Sequence, residues 1–195
     1  MSLSQAPLFE ADVPDGFRYQ ADFISSDEET VLAAEIGRIE FSIFEMRGVV
    51  ARRRVAFFGT SYDRGPAATP PLPDFLLHLR DKLAALAGVE ARAFAMALIN
   101  EYRPGTPIGW HRDAPQYDIV AGISLLSPCR MKFRPYVRPG ERTATAAPRR
   151  VATHAVVLER RSAYLLTGAA RNAYEHHIPE VTTLRYSITL RTVRP

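Results

Sequence analysis

From residue 93 onward the chain is cut into short apolar runs, Ala93–Asn100, Ile119–Leu126, Met131–Tyr136, Ala155–Leu158, Ala163–Thr167 and Tyr186–Arg191, parted by Gly, Pro and Asn. Runs this short suit strands that turn back on one another, and the cadence predicts an antiparallel β sandwich or barrel. The longest interruption, Arg138–Ala152, is rich in Pro, Thr, Ala and Arg and reads as a surface hairpin loop. Upstream the pattern changes. Ser26 followed by Glu29 has the spacing of a capping box and opens a helix to about Arg38, with Val31, Leu32 and Ile36 on one face. Asp74 caps a second helix whose Phe75, Leu76, Leu79, Leu83 and Leu86 recur at helical spacing, and Gly88 stops it. Between the helices, Phe41–Tyr62 turns toward short strands and carries Arg52, Arg53 and Arg54, then Phe57, Phe58 and Tyr62.

The 195 residues suffice for one domain, 1–195, with a substantial core. The formal charge of +4 rests almost wholly on arginine, with Lys82 and Lys132 as the lysines. Such an excess suits a polyanion partner and follows equally from an arginine-rich genome, so charge alone leaves both open. Cys129 is the one cysteine, which excludes an intrachain disulfide and a thiolate metal cluster and makes a reducing cytoplasm the expected compartment. No basic segment followed by an apolar run opens the chain, and no long apolar stretch interrupts it, so neither export nor membrane insertion is expected.

His111 and Asp113 stand two apart, so in an extended segment both point to one side. Alone, such a pair is more often a surface ion pair or a capping group than a ligand pair. His176 supplies a third donor if strand closure brings A-Y-E-H-H-I-P beside W-H-R-D, and two imidazoles with one carboxylate leave metal positions free for a keto acid and O₂. His177 competes for that place because neighbouring strand residues face opposite ways; His176 is the choice made here. His78 and His154 lack partners at metal spacing.

In R-Y-S-I-T-L-R, Arg185, Ser187, Thr189 and Arg191 share one face, and Tyr186, Ile188 and Leu190 the other. The two arginine Cα atoms lie roughly 20 Å apart along such a strand, so inward-leaning side chains could flank a small dicarboxylate. Guanidinium suits that task because it pairs bidentately and keeps its charge when partly buried. An exposed edge strand with solvated charges is the competing reading.

N-E-Y (Asn100–Tyr102), W-H-R-D (Trp110–Asp113), H-H-I-P (His176–Pro179) and R-Y-S-I-T-L-R (Arg185–Arg191), in this order, resemble the AlkB-type Fe(II)/2-oxoglutarate-dependent dioxygenases. The likeness spans roughly residues 90 to 195. It implies a mainly β fold with flanking helices, a double-stranded β-helix (jelly-roll) core over 90–195, and N-terminal helices with a substrate-recognition lid over 1–89. It further implies that His111, Asp113 and His176 bind Fe(II), and that Asn100, Tyr102, Arg185 and Arg191 hold 2-oxoglutarate. Ser187 stands where some members carry asparagine.

The implied reaction consumes O₂ and 2-oxoglutarate, releases succinate and CO₂, and hydroxylates a C–H bond. On a methylated base nitrogen it ends in formaldehyde and restored base, which makes alkylated DNA or RNA the expected partner of a monomeric enzyme. RNA modification, protein hydroxylation and a jelly-roll binding module without catalysis are the rival readings. A target base must leave its stack and be sandwiched. Tyr62 is the preferred stacker, with Phe57 and Phe58 as further candidates, and Arg53 and Arg112 are the preferred substrate contacts. Arg52, Arg53 and Arg54, and the like-charged strand face Arg130, Lys132 and Arg134, could grip phosphates.

Overall fold

The computed structural model describes residues 13–46, 49–60, 69–138 and 153–194. The alternating runs become eleven strands among these residues: β1 (Phe17–Gln20), β2 (Ser42–Met46), β3 (Val49–Gly59), β4 (Phe94–Tyr102), β5 (Ile108–His111), β6 (Tyr117–Leu125), β7 (Cys129–Pro135), β8 (His154–Leu158), β9 (Ala163–Leu166), β10 (Tyr174–Ile178) and β11 (Arg185–Val193). All their pairings are antiparallel. They form a seven-stranded sheet in the order β1-β9-β6-β11-β4-β3-β2 and a four-stranded sheet in the order β5-β10-β7-β8. The expected jelly-roll is therefore present. Each predicted run in the C-terminal half lies on a strand within a residue or two, because strands covered on both faces, as β4, β6, β9 and β11 are, read as continuous short apolar runs.

β11 is the inner strand of the larger sheet, bonded to β4 on one side and β6 on the other. Its Ile188 and Leu190 face a core shared with Ile99, Ile123 and Leu165, against which α1 (Ser26–Gly37) and α2 (Leu77–Ala87) lay Leu32, Ile36, Leu79 and Leu83. Burying each such leucine or isoleucine contributes about 1.5–3 kcal/mol. The opposite face of the sheet meets the smaller sheet through Val120, Tyr164 and Leu166, packed on Met131, Phe133 and Ile178. Gly122 makes room for this second layer, since a Cβ there would sit 2.2 Å from the Tyr164 ring.

α1 begins one residue earlier than the sequence suggests. The capping box is Ser25 with Glu28: Glu28 N donates to Ser25 Oγ at 3.1 Å and Ser25 N to Glu28 Oε2 at 2.7 Å. Glu29 is engaged elsewhere. Its buried carboxylate accepts from Leu126 N at 2.8 Å and from Arg160 Nε at 3.0 Å, tying α1 to the β6–β7 and β8–β9 connections. The buried stripe is accordingly Glu29, Leu32 and Ile36, while Val31 is 60% exposed. A single helical turn of 3₁₀ type, Asp74–Leu76, precedes α2; Pro73 holds the N-cap position and Asp74 makes no capping bond. Gly88 does end α2, at a left-handed φ of 72°. A short α3 (Gly168–Asn172) links β9 to β10. Among the described residues no helix is long and apolar enough to cross a membrane.

Candidate active site

Pairing of β5 with β10 sets His111 directly opposite His176, their ring centroids 4.2 Å apart. Asp113 follows two residues past His111 and turns Oδ2 to within 3.6 Å of His176 Nε2. Its other oxygen accepts from Arg191 Nη2 at 2.7 Å and Nε at 3.0 Å. The three expected ligands thus come together, supplied by the smaller sheet and its edge, with an arginine of the larger sheet behind them. His177 points outward: its Nδ1 lies 2.7 Å from the Ile108 carbonyl and its ring 5.0 Å from Trp110.

Among the described residues no three His, Cys, Asp or Glu side chains close into a metal cluster, and here Asp113 gives one oxygen to Arg191. By donor chemistry the residues fit a divalent cation. Burial, with His111 close by, pushes His176 down to about 3 in spite of Asp113, and burial likewise lowers His111. Burial would raise the Asp113 carboxyl, but Arg191, His176 and His111 outweigh it and hold it well below the usual carboxylate range. At neutral pH the site therefore presents two neutral imidazoles and a carboxylate. The 2.9 Å contact of His111 Nδ1 with the Gly109 carbonyl requires the proton on Nδ1 and leaves Nε2 a lone pair.

The polar face of β11 is buried along its length, which removes the exposed-edge reading. Arg185 is 0% exposed; it donates to Ser124 Oγ at 3.2 Å and lies 5.1 Å from the Tyr102 ring centroid. Its Nε and Nη1 are sealed from solvent with no hydrogen-bond partner among the described residues. A buried guanidinium with two idle donors is costly, by several kcal/mol, unless an anion meets it. The donor geometry fits a carboxylate.

Between these groups lies a cavity of about 450 Å³. Asn100, Tyr102, Ser187, Thr189 and Arg191 form its floor, His111, Asp113 and His176 one wall, and Phe44, Arg53 and Phe57 the roof. Arg185 lies beneath the floor, outside the lining, next to Tyr102 and two places from Ser187. Burial pushes the Tyr102 phenol up, so it stays a neutral hydroxyl.

The three consecutive arginines of β3 separate by strand alternation. Arg53 turns into the cavity, donates from Nε to Asn100 Oδ1 at 3.1 Å and lies 4.6 Å from the Phe44 ring centroid. Arg54 turns away and clamps Glu101 at 2.5 and 2.9 Å, and Arg52 pairs with Glu180 at 3.3 Å. Arg54 is held in a half-buried ion pair and Arg52 in an exposed one, so the three arginines expected to act together on phosphates do not share one face. Phe57 lines the cavity, whereas Phe58 packs on the helix side. Tyr62 lies outside the described residues. Arg112 sits at the rim, 3.5 Å from the Tyr136 ring centroid. On β7, Arg130, Lys132 and Arg134 do share the outer face, but Arg134 pairs with Glu175 at 2.6 Å and lies over Trp110.

Sequence reasoning missed Phe44, for which S-I-F-E-M gives no sign that the ring faces a cavity. It also missed Arg171, a buried residue of α3 whose Nη2 donates to the Ala114 and Tyr117 carbonyls at 2.5 and 2.8 Å, fixing the chain just past Asp113.

The profile of the 2OG-Fe(II) oxygenase superfamily matches residues 50–191. Among curated proteins, the chain is 28% identical over 168 residues to the probable RNA/DNA demethylase ALKBH6 of Danio rerio, covering 86% of this chain and 70% of that protein. It is 27% identical over 203 aligned positions to the alkylated DNA repair protein ALKBH8 homolog of Arabidopsis thaliana, covering 89% and 57%. Among solved structures, OsALKBH1 superposes with a TM-score of 0.64 at 13% identity, over 92% of this chain and 99% of that one. A Pseudomonas putida prolyl-4-hydroxylase superposes with a TM-score of 0.57 at 17% identity, over 92% and 93%.

Proposed function

The chain belongs to the 2OG-Fe(II) oxygenase superfamily as an AlkB-type dioxygenase, and from that premise we propose that it oxidatively demethylates alkylated bases in nucleic acid. The observation that carries the reading is a cavity with the His111, Asp113 and His176 donors on one wall and an aromatic and arginine roof facing them. The names of two relatives, an RNA/DNA demethylase and an alkylated DNA repair protein, agree with it.

In this reading His111 Nε2, His176 Nε2 and Asp113 hold Fe(II), and Arg191 orients Asp113 through its two hydrogen bonds. Arg185 takes one carboxylate of 2-oxoglutarate on its idle Nε and Nη1, while Asn100 and Tyr102 line the space in which the cosubstrate lies. When bound, iron with 2-oxoglutarate and O₂ supplies the oxidation, releasing succinate and CO₂ and placing a hydroxyl on the methyl carbon; the resulting hemiaminal breaks down to formaldehyde and restored base. The protein's own task is positioning. Phe44 and Phe57 give an extruded base flat apolar surfaces, and the two-sheet core behind the site excludes water. Arg171 keeps Asp113 in place by gripping the two carbonyls beyond it.

The test is anaerobic loading with Fe(II) and 2-oxoglutarate, then O₂ with single-stranded DNA or RNA carrying one N-methylated base, scoring succinate, formaldehyde and restored base. Restoration that His176→Ala reduces on the order of 100-fold or more supports the reading. Succinate with no restored base on any nucleic acid rejects the substrate and keeps the dioxygenase.

A further inference from the structure

The charge balance of the cavity bears on which methylated bases can enter. Among the described residues lining it, Asp113 is the one carboxylate, and Arg191 already neutralises it. Two further guanidiniums, Arg53 in the roof and Arg112 at the rim, have no acidic partner within the lining. Iron and 2-oxoglutarate, a dication and a dianion, cancel one another, so loading the site does not reverse its sign.

Arg53 is the arginine best placed to read a substrate. Strand alternation fixes it inward, its Nε is committed to Asn100 Oδ1, and Phe44 stacks beneath its plane. The two terminal nitrogens have no hydrogen-bond partner among the described residues and are not sealed by protein, so they open into the cavity. A guanidinium can only donate. Methylated bases divide in the property it would detect. Methylation at N1 of adenine or N3 of cytosine leaves a base that is cationic at neutral pH and carries an amino group at C6 of the purine or C4 of the pyrimidine, although 3-methylcytosine keeps a carbonyl at C2. Methylation at N1 of guanine or N3 of thymine leaves a neutral base that carries a carbonyl oxygen at C6 or C4.

We infer that Arg53 makes this cavity select neutral, carbonyl-bearing N-methylated bases and reject cationic ones. The carbonyl at C6 of guanine or C4 of thymine accepts a charge-assisted hydrogen bond from the free end of Arg53, where the cationic bases offer an amino donor. A cationic base would leave water for a site of its own sign, with no carboxylate free of Arg191 among the described lining residues to receive it, and at low local dielectric that repulsion is strong. The inference deepens the nucleic-acid reading above and rests on it.

The test uses the anaerobic Fe(II) and 2-oxoglutarate complex, which binds without turning over. Four single strands, identical except for one 1-methyladenine, 3-methylcytosine, 1-methylguanine or 3-methylthymine, are titrated against the unmodified strand, and kcat/KM is then compared after O₂ is admitted. The neutral pair should bind at least about tenfold tighter than the cationic pair. Arg53→Gln should bring the two pairs within about twofold, and Arg53→Glu should reverse the order. A wild-type preference for the cationic pair, or an Arg53→Glu protein that keeps the wild-type ratio, overturns the inference while leaving the demethylase reading intact. If none of the four strands is bound better than the unmodified strand and none is restored, the nucleic-acid reading itself falls and takes the inference with it. Should both variants fail to fold, the wild-type ratio alone decides.

Discussion

β11 and β3 stand two places apart in one sheet, with β4 between them, and both turn alternate side chains toward the cavity. On β11 the inward residues Arg185, Ser187, Thr189 and Arg191 are all buried, and Arg191 reaches Asp113, Thr189 Oγ1 and the Met96 sulfur at once. On β3 the inward Ala51, Arg53 and Phe57 keep partial exposure and Val55 between them is buried, and beyond β3 only β2 remains before the sheet ends. The floor must meet the same small dicarboxylate at every turnover, so its donors are held rigidly by strands on both sides. In the proposed reading the roof meets the variable part of the problem, the substrate base, and it is built where a side chain can change without unsettling the core.

That contrast can be broken at either end. The largest effect belongs to the floor: Arg185→Lys keeps the charge but loses the planar pair of donors, and KM for 2-oxoglutarate should rise about 30-fold with kcat changed far less. Steady-state succinate formation measures both, and an unchanged KM would remove Arg185 from the cosubstrate site. In the roof, Phe57→Ala should weaken binding of a lesion-bearing strand by about 1–3 kcal/mol, whereas succinate formed without nucleic acid should hold within about twofold. A parallel fall in both rates would mean that roof and floor are one unit.

The smallest effect lies at the joint between them. The hydrogen bond from Arg54 holds the Glu101 carboxyl below the ordinary glutamate range, so its share of stability is complete above that range and is lost as pH falls through the lowered value. Glu101→Gln should lower Tm by about 2 °C at neutral pH and change it little at the acid end, flattening the Tm-against-pH curve. Identical curves would show that the clamp does not fasten β3 to β4.

Much of the floor was legible because it rests on alternation and on ligand chemistry. R-Y-S-I-T-L-R can bury Ile188 and Leu190 only by turning its polar residues the other way, and H-x-D forces two donors to one side. The roof was not legible on the same grounds. Alternation says that Arg53 must part from Arg52 and Arg54, but the side each takes depends on Glu101 and Glu180, which reach β3 from distant parts of the chain. The one-residue shift of α1 has a similar origin, since Glu29 is drawn into the core by Leu126 N and Arg160 and cannot serve as a cap. Local spacing carries no record of such long-range partners. The four-residue β1 escaped notice because only Phe17 of it is buried.

The separation of Arg53 from its two neighbours also has a meaning for how such a protein changes over generations. Because facing along a strand has a period of two, one codon gained between Arg53 and Arg54, with the pairing from Arg54 onward kept, would bring another side chain inward in its place. The floor strand would be untouched, and the oxidising machinery would be inherited whole. A lineage could thus trade one preferred substrate for another in a single step, without passing through an inactive ancestor.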